Sequence, residues 1–136
     1  MRSLIIFFSV LFIQQLYGQQ LTVKISSIPT NEGQIIVELF QGEDNFLEKS
    51  YKRKVISISG VSAKVVFENL PAGEYALGVI HDENKNGELD TFMKIPREPI
   101  AISNNATPEF GPPSYDDAKF SISAGKNVIQ RIHFTD

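Results

Sequence analysis

Apolar and polar residues alternate one by one along much of this chain, and that period of two constrains its fold more than any other feature. In residues 21–28, Leu21, Val23 and Ile25 alternate with Thr22, Lys24 and Ser26, the pattern of a strand with one face buried and one in water. The same reading places strands at residues 33–41, with Ile35, Val37 and Leu39 on one face, and at 51–58. Two more follow at 62–68, with Ala63, Val65 and Phe67, and at 73–80, with Tyr75, Leu77 and Val79 inward. Turn-forming residues separate them: 29–33 (PTNEG), Gly42, Gly60 and 69–73 (NLPAG). Residues 118–123 and 127–134 alternate around Ala124-Gly125-Lys126 and read as a closing hairpin. No segment carries a sustained helical period. The expected fold is all-β, a single antiparallel β-sandwich of about seven strands.

The first eighteen residues read differently. Met1 and Arg2 precede a continuous apolar run at 4–13 (LIIFFSVLFI), and Leu16-Tyr17-Gly18 closes it. This is the layout of a secretory signal peptide, and the run is far short of the ~20 apolar residues that span a bilayer. Cleavage after Gly18 leaves one domain, residues 19–136, secreted or periplasmic and with no transmembrane segment. Loss of Arg2 moves the formal net charge from −3 to −4. A mildly acidic domain with no basic cluster is a poor partner for nucleic acid or an anionic membrane. The chain has no cysteine, so an exported domain of this size relies on its core or a bound ion in place of disulfides. It is expected to be a monomer.

Residues 82–117 do not fit a plain sandwich, since they show no strand pattern. Connections longer than ~12 to 15 residues are uncommon and usually functional or disordered. Phe92, Met93, Ile95, Ile100, Ile102, Phe110 and Tyr115 supply apolar anchors, and Pro96, Pro99, Pro108, Pro112 and Pro113 stiffen the segment. An ordered loop over one end of the sandwich is expected. Phe92, Phe110 and Tyr115 either pin that loop down or form an aromatic platform, and pinning is the commoner role.

The segment begins with His81 to Asp90, HDENKNGELD. Calcium takes six to eight oxygen ligands, supplied by a tight loop in which acidic or amide side chains alternate and a glycine allows a sharp turn. With Asp82 at position 1, Asn84 and Asn86 fall at 3 and 5, Gly87 at 6, the Glu88 carbonyl at 7 and Asp90 at 9. Position 12 is Met93, so the usual bidentate glutamate is missing, and Glu98, Glu109, Asp116 or water would complete the shell. The expected metal residues are therefore Asp82, Asn84, Asn86, Glu88 and Asp90, with calcium bound at modest affinity. The competing reading is a chain of Asx-turns with no metal, in an envelope structural protein. A third is a hydrolase using His81 with Asp82, Asp90 or Glu98 as acid and base. Adjacent strand residues point to opposite faces, so His81 and Asp82 need not share a site, and His81 reads as capping or hydrogen-bonding the loop. His133 reads as solvent-facing or hydrogen-bonded, and Ser103 and Ser114 lack a G-x-S-x-G elbow. No catalytic residue is assigned, and the partner is an unidentified protein or glycan.

Together with HDENKNGELD, the motifs Ile95-Pro96-Arg97-Glu98, Ser103-Asn104-Asn105-Ala106 and Gly111-Pro112-Pro113-Ser114-Tyr115-Asp116-Asp117-Ala118 resemble a bacterial family of unknown function, DUF2141. That family's pattern runs HDENGNGKLD, then G-I-P-K-E, G-F-S-N-N and P-P-S-F-x-x-A. Here Lys85 replaces a glycine, Met93-Lys94 stands where the family has a residue and glycine before I-P, and Ile100-Ala101-Ile102 replaces the glycine-aromatic step. The segment 70–75 (LPAGEY) is also similar to the start of a strand in transthyretin-like and carboxypeptidase-regulatory-like sandwiches. The resemblance implies export and a β-sandwich, and no reaction.

Overall fold

The computed structural model describes residues 18–135, so all of the expected signal peptide but Gly18 lies outside the described residues. In chain order, the alternating segments form β1 (Gln19–Ser26), β2 (Gln34–Gln41), β3 (Lys52–Ser57), β4 (Ala63–Leu70) and β5 (Gly73–Asp82). Three short strands follow, β6 (Thr91–Phe92), β7 (Ile95–Pro96) and β8 (Ile100–Ile102). One turn of helix, α1 (Tyr115–Ala118), precedes β9 (Phe120–Ile122) and β10 (Val128–His133). All seven expected segments are strands, and β6 to β8 bring the number among the described residues to ten.

The strands form a three-stranded sheet, β10-β1-β4, a five-stranded sheet, β3-β2-β5-β8 with β9 also on β5, and the small ribbon β6-β7. Alternation in the sequence becomes one shared interior. Leu21, Val23 and Ile25 of β1, Val65 and Phe67 of β4, and Ile132 of β10 pack with Ile35, Val37 and Leu39 of β2 and Tyr75, Leu77 and Val79 of β5. Each such apolar side chain removed from water contributes roughly 1.5–3 kcal/mol before the cost of ordering the chain.

The closing hairpin is not formed. The strands β9 and β10 lie in different sheets: β9 pairs antiparallel with β5, and β10 pairs parallel with β1. The turn between them is present, with the Lys126 amide donating to the Ser123 carbonyl and Gly125 at φ 74°, but it carries the chain across the core. Period-two alternation tells which side chains share a face and is silent on which sheet holds them; Ile122 and Ile132 are both buried, in different sheets. The parallel β1–β10 pair also means the architecture is not purely antiparallel.

The loop expected at 82–117 is corrected too. Strand β5 runs on through His81 and Asp82, β8 pairs with it at residues 78–80, and α1 carries its own cap, the Ser114 hydroxyl accepting from the Asp117 amide at 3.2 Å. Three residues of strand and one helical turn are too short to leave a periodic signature.

Part of the outer face of the five-stranded sheet is covered as well. Phe40, Ala76, Ile102, Tyr115 and Ala118 are buried there, and the Phe46 ring meets Phe40 and Tyr115 at 5.7 and 5.6 Å between centroids. Tyr115 thus pins the segment, while Phe92 and Phe110 stay exposed, so the three aromatics do not form a joint platform. Ser103 ties this layer down: its buried hydroxyl accepts from the Leu77 amide at 2.9 Å and donates to the Ala118 carbonyl at 2.5 Å. On the opposite flank, Lys52 and Lys54 of β3 donate to the Glu68 and Val66 carbonyls of β4.

Candidate functional site

Register places the site. On β5, the residues that share a face with Val79 include His81, and the next residue turns the other way. His81 is fully buried on the core side, with Nε2 2.7 Å from the Glu32 carbonyl and its ring 6.3 Å from that of Phe134. Its Nδ1 meets no hydrogen-bond partner among the described residues. The acid–base arrangement of His81 with Asp82, Asp90 or Glu98 is therefore not assembled, because the pleat turns the imidazole away from the loop. His133 is exposed.

Asp82 lies opposite Gln34 in the β2–β5 ladder and is fully buried. Its Oδ2 accepts from Gln34 Nε2 at 2.7 Å and from the Gly87 amide at 2.8 Å, and its Oδ1 accepts from the Asn86 amide at 3.2 Å. Burial pushes this carboxyl's pKa up, but hydrogen bonds from Gln34, Gly87 and Asn86 and the nearby Arg53 charge outweigh it, so the net shift is downward. The neighbouring turn packs tightly on this strand end. A Cβ on Gly33, at φ 84°, would fall 2.2 Å from the Asp82 carbonyl oxygen.

Beyond Asp82 the chain closes through successive side-chain turns. Asn84 Oδ1 accepts from the Asn86 amide at 3.2 Å, and Asn86 Oδ1 accepts from the Glu88 amide at 3.0 Å. Asn84 and Asn86 both donate through Nδ2 to the Asp90 carboxylate, at 2.5 and 2.6 Å. Lys85 and Gly87 take left-handed φ values of 57° and 82°, so each family glycine in this stretch falls where the backbone is left-handed, and Lys85 occupies one such place with a Cβ. Lys94, also standing where the family has glycine, has φ 65° in the turn between β6 and β7.

Four of the five residues expected as ligands are thus tied together by their side chains, while Glu88 enters through its backbone. Glu98 does fold back. It is buried, with Oε1 accepting from the Glu83 amide and Oε2 from the Asp90 amide, both at 3.0 Å, and it closes the loop through N–H groups. Asp116 instead pairs with Lys119 at 3.1 Å, and Glu109 is exposed. Met93, the position-12 residue, is 81% exposed and takes no part. Among the described residues no three of His, Asp and Glu gather as a metal-binding group, so an ion here depends on amide and carbonyl oxygens as well.

Sequence reading missed the parts that Gln34 and Arg53 play at this loop. Arg53 pairs with Glu38 at 3.6 Å and donates to the Gly87 carbonyl, joining β3 to the loop. Only strand register, unreadable from one local stretch, brings them there.

Fold and site together define a class: a mostly β protein with an amide- and carboxylate-rich loop on the end of a central strand. The family described as uncharacterized protein conserved in bacteria (DUF2141) matches over residues 23–130, and the chain belongs to that family. No curated protein and no solved structure matches it.

Proposed function

We propose that this is an exported, non-catalytic binding module, a β-sandwich of transthyretin-like kind, whose Asp82–Asp90 loop takes calcium and so orders the segment beside it. The sandwich reading is supported by the single interior shared between the two larger sheets. The calcium reading rests on one observation. Asp82 Oδ1, Asn84 Oδ1, Asn86 Oδ1 and both Asp90 carboxylate oxygens each accept a single hydrogen bond, which leaves each a free lone pair. Two amide N–H groups converge on Asp90, the electrostatic role that a cation would take over.

Isothermal titration paired with thermal melting tests this. At about 5 mM calcium, above the ~10⁻⁴ to 10⁻³ M range of weak extracellular sites, the protein releases or takes up heat and melts higher. Asp90→Asn abolishes both responses while the fold, anchored by Asp82, persists. Absence of heat and of any melting shift in the intact protein rejects the ion and leaves the metal-free turn.

A further inference from the structure

A groove of about 880 Å³ lies on the outer face of the five-stranded sheet, beside the loop. Its floor is Phe40, Gly78, Ile80, Ile100 and Ile102, and its walls come from residues 87–96 and 108–113. We infer that this groove binds an uncharged, largely apolar small molecule carrying a hydroxyl or amide group. The inference rests on the reading of the protein as a binding module and does not require the ion.

Three observations support it. The volume falls within the ~300 to 1,000 Å³ typical of small-molecule sites, which are mostly apolar with a few polar groups. Its depth depends on Gly78. A Cβ there would lie 3.4 Å from Phe40 Cε2 and 3.9 Å from Ile102 Cδ1, so any larger side chain would rise into the groove. Finally, the charged residues lining it cancel. Glu38 is paired with Arg53 at 3.6 Å, and Glu88 and Lys94 add one charge of each sign, so the lining has no net charge. An ionised ligand would unbalance this neutral lining over an apolar floor. A neutral hydroxyl or amide can accept from Arg53 and donate to Glu38, disturbing neither.

Titration with the neutral dye Nile red tests the site in the full mature chain. The intact protein binds one equivalent, and Gly78→Val weakens binding roughly tenfold or more, about 1.4 kcal/mol or above, with the melting transition retained. Gly78→Ala, which adds a single methyl, gives a smaller loss and serves where valine prevents folding. Decanol displaces the dye more effectively than decanoate or decylammonium. The inference is overturned if no saturable binding occurs, if folded Gly78 variants bind as the intact protein does, or if a charged competitor matches decanol. Repeating the titration in EDTA separates the two readings: dye binding that persists without metal keeps the groove whatever the calcium titration gives.

Discussion

Asp82 and Gln34, 48 positions apart, meet at 2.7 Å because β2 and β5 place them directly opposite each other at the end of the ladder. The carboxamide supplies one of three donors that make a buried carboxylate tolerable. Gln34→Ala leaves Asp82 Oδ2 short of a donor and is expected to cost about 1–3 kcal/mol in urea unfolding. A variant as stable as the parent would mean that water replaces the amide without loss.

The downward shift of Asp82 sets a pH dependence. A carboxyl whose folded pKa lies below its unfolded value contributes stability that is fully present above the unfolded value, about 4, and is lost as pH falls through the folded one. Melting temperature should fall as pH drops below about 4. Asp82→Asn should flatten part of that fall, which parallel melts of the two proteins from pH 7 to pH 3 would measure.

Lys85 and Lys94 hold left-handed backbone that costs a residue with a Cβ about 1–2 kcal/mol. Glycine removes that strain but gains freedom in the unfolded chain, an offset of about 0.4–1 kcal/mol. Lys85→Gly and Lys94→Gly should each stabilise by about 0.5 kcal/mol in chemical denaturation. Destabilisation by either would place the lysine side chain in a contact that outweighs the strain.

Ser103→Ala strands the Leu77 amide and the Ala118 carbonyl inside the outer layer. It should cost about 2 kcal/mol and raise hydrogen exchange at residues 115–118 more than in β1. Uniform exchange across the protein would show that Ser103 supports the whole fold and not this layer.

Export should leave Gln19 as the first residue, which intact-mass measurement of protein recovered from outside the inner membrane would read directly. Retention of residues 1–18 would reject the signal peptide.

The strands were legible because Leu21, Val23 and Ile25, or Tyr75, Leu77 and Val79, declare one buried face within a few residues. The turn at Asp82 was legible for the same reason: Asx side chains bond their own near backbone. What remained hidden depends on pairing at a distance. Ile100 to Ile102 form a strand only because β5 offers an open edge, and Ile122 and Ile132 go to different sheets with identical local patterns. Of the alternatives offered for the missing ligand, Glu98 returns to the loop, but onto amides, since the Thr91–Phe92 and Ile95–Pro96 ribbon brings it beneath Asp90. Lys85 and Lys94 were visible as departures from the family pattern, and their backbone angles give those departures a physical meaning.

The two lysines of β3 that cover the Glu68 and Val66 carbonyls have a consequence for how the protein behaves in a crowd. An open strand edge is a template on which another chain's backbone can assemble, and charged side chains laid along it are a standard protection. With two of its carbonyls already engaged, β4 offers a neighbouring molecule less to extend. Neutralising Lys52 and Lys54 together would strip that guard, exposing a seam for filament growth in a protein that has no disulfide to hold a loosened fold shut.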